Sequence, residues 1–275
     1  MHLNLQDKVV LVTGMHRQNH ISPRKTSTKN PFAHNSSGGT KGIGHAIVKS
    51  FLAEGALVHF CSRTSADLAT AHAPSTRAFG SAVDVSQPSQ IAAWVARAAA
   101  QHNNRIDAIV ANVSALATDN EPASWRAAFE TDMMGTHSLV EAALPHLLSS
   151  RGSIVTIASV SGRIIDFTAG PSPYGPMKAA LVHYTSQLAH KHAPAGVRAN
   201  TVSPGNIYVE DGIWGKIERE MPDFFAKQLA DNPLGRMGRA GEVADCVVFL
   251  ASERAAFVTG ANMLVDGGLG QGIQF

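Results

Sequence analysis

A glycine-rich turn between a short strand and a helix is the feature that most constrains the fold of this chain. Val9–Val12 is an apolar, β-branched run typical of a buried strand, and Thr13-Gly14 follows it. Residues 38–44 then contain four more glycines, and the helical pattern after them ends at Gly55. Glycines let the backbone approach phosphate groups, and the amino end of a helix attracts their negative charge. This region therefore predicts the first half of a dinucleotide-binding unit.

A polar segment, residues 15–38, interrupts this turn. It has no hydrophobic period and predicts a flexible loop, although a loop of this length is unusual inside a phosphate-binding turn. The loop could bulge outward while Gly14 and Gly39 still meet. Alternatively, Ser37-Gly38 could replace Thr13-Gly14, because it repeats the same spacing to the later glycines. The segment could also be a translated intron in the gene model, which sequencing of the transcript would test.

Tyr174 and Lys178 stand four residues apart in a predicted helix, so one helical turn places both side chains on one face. An ammonium beside a phenol favours the phenolate, which makes the pair a candidate acid or base near neutral pH. Upstream, residues 153–158 are a mostly apolar run that predicts a buried parallel strand, and Ser159 follows it directly. Ser159 is therefore predicted at the carboxyl end of a strand, where open α/β sheets bind ligands.

These motifs resemble those of the short-chain dehydrogenase/reductase family. With residues 15–38 set aside, the chain reads VLVTG-GTKGIG, which is similar to the T-G-x-x-x-G-x-G signature of that family. The resemblance covers nearly all of the chain outside this segment, and the motifs occur in the family's order. Within the family, the chain is most similar to the ketoacyl reductases. It implies a Rossmann-type doubly wound parallel sheet in three α/β/α layers, with residues 1–275 in a single domain. Residues 206–238 are the region least like the family, and their aromatic side chains among charges suggest a partly helical lid over the substrate.

The resemblance implies a catalytic group of Ser159, Tyr174, Lys178 and Asp132. Tyr174 would be the general acid in carbonyl reduction and the base in alcohol oxidation, while Lys178 would also hydrogen-bond the nicotinamide ribose. Ser159 would donate to the substrate oxygen; Ser161 is the other candidate, but Ser159 has the Ser-x-x-Gly placement of the family. The family commonly has asparagine where Asp132 stands. Asp132 could anchor a relay water, pair with Lys178, or be a helix carboxylate without a catalytic part.

The tip of the second predicted strand, residues 57–61, bears on the choice of cofactor. Ser62-Arg63 follows this strand, and an arginine here can hold a 2′-phosphate where an acid would bind a ribose hydroxyl. Together with Lys41 in the glycine turn, Arg63 predicts NADP(H) rather than NAD.

By resemblance, further residues are expected to contact the cofactor. Asp84 and Val85 would border the adenine. At residues 111–114 the family usually has N-N-A-G, and Asn112 is the residue of this chain that matches it. Pro204-Gly205 would lie against the nicotinamide, and Ile207 would hold its carboxamide with backbone atoms. The complete predicted cofactor-binding set is Gly14, Gly38, Thr40, Lys41, Gly42, Ile43, Gly44, Ser62, Arg63, Asp84, Val85, Asn112, Tyr174, Lys178, Pro204, Gly205 and Ile207.

Apolar patterns predict the remaining elements of the fold. Strands are predicted at residues 106–110, 197–202 and 259–265, with another ending at 82–85, and helices at 90–101, 125–148, 174–195 and 241–251.

Composition narrows the class of protein. The chain has no apolar run long enough to span a membrane and no signal-peptide pattern at its start, so a cytoplasmic protein is expected. Its two cysteines, Cys61 and Cys246, fit buried thiols in a reducing compartment. The basic residues of segment 15–38 leave a small acidic excess elsewhere, which argues against nucleic-acid binding. His16, His20 and His34 lack cysteine or carboxylate partners, so no metal is expected.

The sequence therefore predicts an NADP(H)-dependent oxidoreductase that reduces a ketone or oxidises the corresponding secondary alcohol. The family resemblance adds the expectation of a small-molecule substrate and a homo-oligomer, either tetramer or dimer. One alternative is a catalytically impaired NADP-binding or scaffold homologue whose phosphate site is disrupted by residues 15–38. Another is a nucleic-acid or acidic-partner module that acts through this basic segment and binds in a salt-sensitive way. Measured NADPH affinity separates the first alternative from the enzyme.

Overall fold

Seven parallel strands form the central sheet of the computed structural model, which describes residues 2–14, 42–63, 75–165 and 171–271. Within the sheet, the strand order reverses between the first and fourth strands along the chain, the point where doubly wound sheets form a ligand crevice. The strands are β1 (Val9–Val12), β2 (Leu57–Ser62), β3 (Ala78–Ala82), β4 (Ala108–Ala111), β5 (Ser153–Ile157), β6 (Arg198–Pro204), β7 (Ile207–Tyr208), β8 (Gly238–Arg239) and β9 (Asn262–Val265). The sheet order is β3-β2-β1-β4-β5-β6-β9, and β7 pairs with β8 separately.

Helices connect the strands and cover the sheet. A π-helix, Phe129–Met134, joins two of them, and 3-10 turns occupy Val160–Gly162, Ala193–Ala195 and Glu253–Ala255. The α-helices of the described residues are α1 (Ile43–Ala53), α2 (Pro88–Ala100), α3 (Pro122–Ala128), α4 (Gly135–Ser150), α5 (Tyr174–His192), α6 (Ile213–Glu220), α7 (Pro222–Ala230) and α8 (Ala240–Ala251).

The central strand β1 shows why a strand buried on both faces can be a continuous apolar run. Val10 and Val12 belong to one hydrophobic cluster, in which α1 and α8 cover the sheet. Val9 and Leu11 point to the opposite face, into a cluster that α2 and α4 cover. Successive side chains of a strand alternate between faces, and both faces here are buried, so every position is apolar. The predicted doubly wound fold of three α/β/α layers in one domain is confirmed.

Three predicted elements differ from the structure, and one of them is the last strand, which begins at Asn262 rather than at residue 259. The long helix predicted at residues 125–148 is divided by the π-helix Phe129–Met134, whose extra residue per turn a hydrophobic pattern does not indicate. The third strand ends at Ala82 rather than at Val85. Val83 still donates to the carbonyl oxygen of Ser62 in β2 (2.8 Å), but the N–H of Asp84 donates to the side chain of Gln90 (2.9 Å) instead of to a neighbouring strand.

Residues 206–238 pack around a small hydrophobic cluster separate from the main core. Trp214, Ile217 and Met237 are its buried members, and partly buried aromatic residues of α7 pack against them. The region contains α6 and α7 and is partly helical, as predicted. Its role as a lid stays a prediction.

Across the described ranges, every helix is either too short or too polar to cross a membrane.

Candidate active site

The carboxyl ends of β1, β4, β5 and β6 meet at one edge of the sheet, because these strands are parallel and adjacent. Predicted site residues follow each of them directly or after one residue: Gly14, Asn112, Ser159 and Gly205. The fold therefore brings to one edge residues that are far apart in the sequence, at the switch point of the strand order.

Tyr174 and Lys178 share one face of α5, as their spacing predicts. The Nζ atom of Lys178 lies 5.8 Å from the centre of the Tyr174 ring, within the range of cation–π attraction. Tyr174, the first residue of the helix, is half-buried, whereas Lys178 is only 2% exposed. Nζ also donates to the carbonyl oxygen of Ile157 (3.2 Å), the last residue of β5. The pair is thus anchored to the sheet edge where Ser159 follows.

Asp132 forms a buried ion pair with Lys178. Its Oδ1 lies 3.1 Å from Nζ, and each side chain is 2% exposed. The other carboxylate oxygen, Oδ2, accepts a hydrogen bond from the backbone N–H of Ala115 (2.8 Å). Charges removed from water need such partners, because burial without them is costly. Of the arrangements left open for Asp132, the structure contains the pairing with Lys178.

Ser159 caps a 3-10 turn that packs against α5. Its Oγ accepts from the backbone N–H of Ser161 (3.1 Å), which leaves the hydroxyl hydrogen available for donation. The turn ends at Gly162, where a Cβ would lie 2.7 Å from the backbone nitrogen of Ala179. The missing side chain thus allows the Ser159 turn to contact the helix that carries Tyr174 and Lys178.

A chain of buried hydroxyl groups fastens α5 to the sheet. Thr185 donates to the carbonyl oxygen of Leu181 (2.7 Å), so its Oγ1 accepts from Thr156 of β5 (2.8 Å). Thr156 in turn accepts from Thr201 of β6 (3.0 Å). All three threonines are buried, and an unpaired hydroxyl there would cost about 1–3 kcal/mol. This network fixes the position of the helix relative to β5 and β6.

The glycine turn is held together at the ends of β1 and β4. The hydroxyl oxygen of Thr13 accepts from the backbone N–H of Asn112 (3.1 Å), and the Asn112 side chain donates to the carbonyl oxygen of Gly14 (2.9 Å). Gly14 has a φ of +82°, which favours glycine. Gly44, in the first turn of α1, lies so close to Gly14 that a Cβ at Gly44 would collide with the Gly14 carbonyl oxygen.

A dinucleotide fits this corner. The N-cap of α1 is Gly42, which has no side chain to cap the helix, and the first turn contains no acidic residue. The first N–H groups of a helix have no partner within the helix, so such a start can bind a phosphate. Gly42, Ile43 and Gly44 lie at this helix start, as predicted. Segment 15–38, together with the predicted contacts Gly38, Thr40 and Lys41, lies outside the described residues.

The predicted adenosine contacts lie at the ends of β2 and β3. Ser62 is the buried last residue of β2, and Arg63 follows it with an exposed side chain. Asp84 is half-buried, and its Oδ1 accepts from the backbone N–H and the hydroxyl of Ser86 (3.0 and 2.8 Å). Val85 is buried against Gly135, the first residue of α4. These residues lie on the β1–β2–β3 side of the switch point.

A turn after β6 carries the residues predicted to face the nicotinamide. Pro204 is buried, and the N–H of Gly205 donates to the carbonyl oxygen of Val265 (3.0 Å). Ile207 begins β7 and pairs with Gly238 of β8.

Asn206, in the same turn, is a candidate that the sequence did not indicate. It is 2% exposed, and its side-chain nitrogen has no hydrogen-bond partner among the described residues. An unpaired buried donor costs about 1–3 kcal/mol, so a bound acceptor would stabilise it. The carbonyl oxygen of Asn206 accepts from the N–H of Gly238 (2.8 Å), so residues far apart in the sequence meet at this buried position.

Burial keeps ionisable groups near the glycine turn uncharged. It raises the pKa of the Cys61 thiol to about 12, although a backbone hydrogen bond with Gly14 opposes this effect. Burial and then the nearby charge of Lys49 lower the pKa of His45. Both groups are neutral at pH 7 and add no charge where a phosphate would bind. In the described part of the chain, no group of three or more His, Cys, Asp or Glu side chains could hold a metal ion.

The switch in strand order and the close contact of Gly14 with Gly44 define a dinucleotide-binding type of α/β fold. The chain belongs to the short-chain dehydrogenase/reductase family: the family model described as enoyl-(acyl carrier protein) reductase matches residues 38–270.

Relatives support the same assignment. The chain is 39% identical over 246 residues to isoepoxydon dehydrogenase of Penicillium expansum, covering 86% of this chain and 94% of that protein. It is 36% identical to L-fucose dehydrogenase of Mus musculus, covering 84% and 85% of the two chains. Among solved structures, a short-chain dehydrogenase/reductase from Burkholderia xenovorans is similar with a TM-score of 0.81 and 29% identity, covering 98% and 99%.

Proposed function

We propose that this protein is an NADP(H)-dependent oxidoreductase that interconverts a ketone and the corresponding secondary alcohol. The observation that carries the proposal is the half-buried phenol of Tyr174 with the buried ammonium of Lys178 at 5.8 Å from its ring. A charge removed from water acts strongly on its neighbours, so Lys178 can stabilise the phenolate form of Tyr174.

The side chains of the site would divide the work of proton transfer. The Tyr174 phenol gives a proton to the carbonyl oxygen in reduction, and its phenolate accepts that proton in oxidation. Ser159 donates its free hydroxyl hydrogen to the same oxygen, where negative charge develops. Lys178 stabilises the phenolate while it stays bound to the end of β5. The nicotinamide cofactor, when bound, supplies or accepts the hydride.

Arg63 supports a preference for NADP(H). It follows β2 on the adenosine side of the switch point, with an exposed side chain. A guanidinium there can bind a 2′-phosphate through two parallel charge-assisted hydrogen bonds. Ser62-Arg63 contains no carboxylate to accept from a ribose 2′-hydroxyl, which is the contact that favours NAD.

The remaining cofactor contacts follow from the strand ends. Gly14 and Gly42–Gly44 would bind the pyrophosphate, and Asp84 with Val85 would border the adenine. The turn at 204–207 would lie against the nicotinamide. We further propose that residues 206–238 close over the substrate, because Trp214, Ile217 and Met237 form a hydrophobic cluster separate from the main core.

The relatives suggest the class of substrate. One is named for isoepoxydon and another for L-fucose, a sugar with secondary hydroxyl groups. Both names describe dehydrogenation of small molecules, whereas the matching family model is described by a reductase of acyl carrier protein substrates. We therefore favour a small hydroxylated molecule, or its ketone, over a carrier-bound acyl chain.

The test is turnover of the Tyr174→Phe variant. The wild type should consume NADPH with a panel of ketones, or reduce NADP⁺ with secondary alcohols that include sugars. Tyr174→Phe should lose at least about 99% of this turnover, because proton transfer typically contributes 10²- to 10⁴-fold. NADPH should still bind to the variant in a fluorescence titration, since the phenol is a minor part of the cofactor contact.

Tyr184→Phe is a matched control. Tyr184 lies on the same helix, and its hydroxyl contacts His137 (3.2 Å) rather than Lys178. This variant should retain wild-type turnover. Full activity in Tyr174→Phe would remove Tyr174 from the mechanism. A wild type that binds NADPH but turns over none of the panel would point to a binding homologue instead.

A further inference from the structure

We propose that Asp132 is a positioning residue that sets the pH range of the Tyr174–Lys178 pair by compensating the charge of the lysine. The inference rests on the proposed function, since it concerns the proton transfer assigned to Tyr174. It does not require Asp132 to touch the substrate or the cofactor.

The geometry of the ion pair supports this role. Asp132 Oδ1 is 3.1 Å from Lys178 Nζ, and both side chains are almost completely buried. The pair is held from both ends, by Ala115 N–H on the carboxylate (2.8 Å) and by the Ile157 carbonyl oxygen on the ammonium (3.2 Å). Asp132 also lies in the π-helix, a type of segment frequently found at functional sites.

The surroundings of α5 identify Asp132 as the compensating charge. Among the described residues, Asp132 is the ion-pair partner of Lys178. Glu130 and Arg163 have exposed side chains, where water screens their charges, and Arg198 donates to carbonyl groups at the end of α8. The described titratable and charged groups on elements packed against α5, or next to its Tyr184, are Glu130, Asp132, His137, Glu141, Arg163 and Arg198. Besides Tyr174 and Lys178, α5 itself carries His183, Tyr184, His190, Lys191 and His192.

The direction in which Asp132 acts follows from its negative charge and the positive charge of Lys178. Lys178 alone attracts the phenolate and favours loss of the Tyr174 proton, whereas the Asp132 carboxylate opposes that loss. With both present, the local net charge is near zero, so the pair attracts a phenolate less strongly than an uncompensated lysine would. Asp132→Asn removes the negative charge and keeps an oxygen that can accept from Ala115. The pH dependence of Tyr174 should therefore move down.

The first experiment compares pH–rate profiles of wild type, Asp132→Asn and Asp132→Glu. Alcohol oxidation needs the phenolate, so its acid-side midpoint in Asp132→Asn should fall by about one pH unit. Ketone reduction needs the phenol, so its alkaline-side midpoint should fall by a similar amount. Asp132→Glu keeps the charge and should keep both midpoints, even where its kcat is lower. A structural role alone would lower kcat without moving any midpoint.

The second experiment measures the phenolate directly and needs no turnover. The chain has three tyrosines. Burial raises the pKa of Tyr184 to about 12, and a hydrogen bond to Glu218 raises the pKa of Tyr208. In an ultraviolet pH titration, the phenolate signal that is missing in Tyr174→Phe belongs to Tyr174. Asp132→Asn should move the midpoint of that signal down by about one pH unit.

Removing one partner of a buried ion pair can unfold a protein, so folding is checked by circular dichroism. Where Asp132→Asn unfolds, it is titrated with saturating NADP⁺, which stabilises the folded state, and Asp132→Ser serves as a second neutral variant. A wild-type midpoint in a folded neutral variant would overturn the inference, as would an equal shift in Asp132→Glu. An active wild type, an inactive Tyr174→Phe and an unmoved midpoint would defeat this inference but not the proposed function.

Discussion

The contact between His59 of β2 and His102 should make the stability of this protein fall in mild acid. The Nε2 atoms of His59 and His102 are 2.9 Å apart, and the His59 ring stacks on Phe79 with 4.6 Å between ring centres. One imidazole must donate and the other accept, so the contact requires that at least one nitrogen is unprotonated. His59 is 3% exposed. Burial and then the charge of His102 lower the pKa of His59 from 6.5 to about 4.

The size of the stability loss in acid follows from the linkage between protonation and folding. Between pH 6.5 and about 4, the unfolded chain binds a proton at His59 that the folded protein does not bind. The stabilisation by neutral His59 is thus fully present above pH 6.5 and is lost as the pH falls toward 4. The whole shift corresponds to at most about 3 kcal/mol, and about 2 kcal/mol of it should be lost by pH 5.

Urea unfolding followed by circular dichroism from pH 7.5 to pH 4.5 measures this dependence. His59→Phe keeps an aromatic ring on Phe79 and removes the ionisable group, so its free energy of unfolding should be flatter with pH by about 2 kcal/mol. His183→Gln, at an exposed position of α5, should keep the wild-type slope. An equally steep slope in His59→Phe, or a flattened one in His183→Gln, would refute the reasoning.

Three further variants test other contacts. Gly162→Val should cost about 2 kcal/mol of stability and most activity by pushing the Ser159 turn off α5, whereas Gly241→Ala, with open space around its Cβ, should be neutral in thermal melts. Arg63→Glu should weaken NADPH binding by about 10- to 100-fold and NADH binding much less, with the exposed Arg97→Ala as the control. Asn206→Leu should weaken cofactor or substrate binding about tenfold. The melting temperature of the unliganded protein should not fall, because the variant no longer buries an unpaired amide. A lower melting temperature with unchanged binding would instead show a structural role.

The elements that the sequence predicts well are those with both faces buried. β1 is a short run in which every residue is apolar, and three of the five residues of β5 are apolar, because helices cover the sheet on both sides. The pairing of Tyr174 with Lys178 could likewise be predicted, since a helix converts a spacing of four into a shared face. In each case the information lies within a few consecutive residues.

What the sequence could not indicate depends on contacts between distant segments. His59 and His102 are 43 residues apart and meet only because the end of α2 packs beside β2. Asn206 is an ordinary turn residue until β8 pairs next to it and buries its side chain. The interruption of the helix at Phe129–Met134 has no compositional signal, because the same residues are compatible with an unbroken α-helix.

That interruption makes the number of residues in the segment as important as their identity. A π-helical turn holds more residues than an α-helical one, so deletion of a single residue from 129–134 could restore regular α-helical bonding. Such a deletion would rotate everything upstream by about 100° around the helix axis relative to α4. Where the deleted residue is 133 or 134, the carboxylate at 132 would swing away from the ammonium and leave it buried alone. Insertions and deletions within this segment should therefore be poorly tolerated, even where every named side chain is kept.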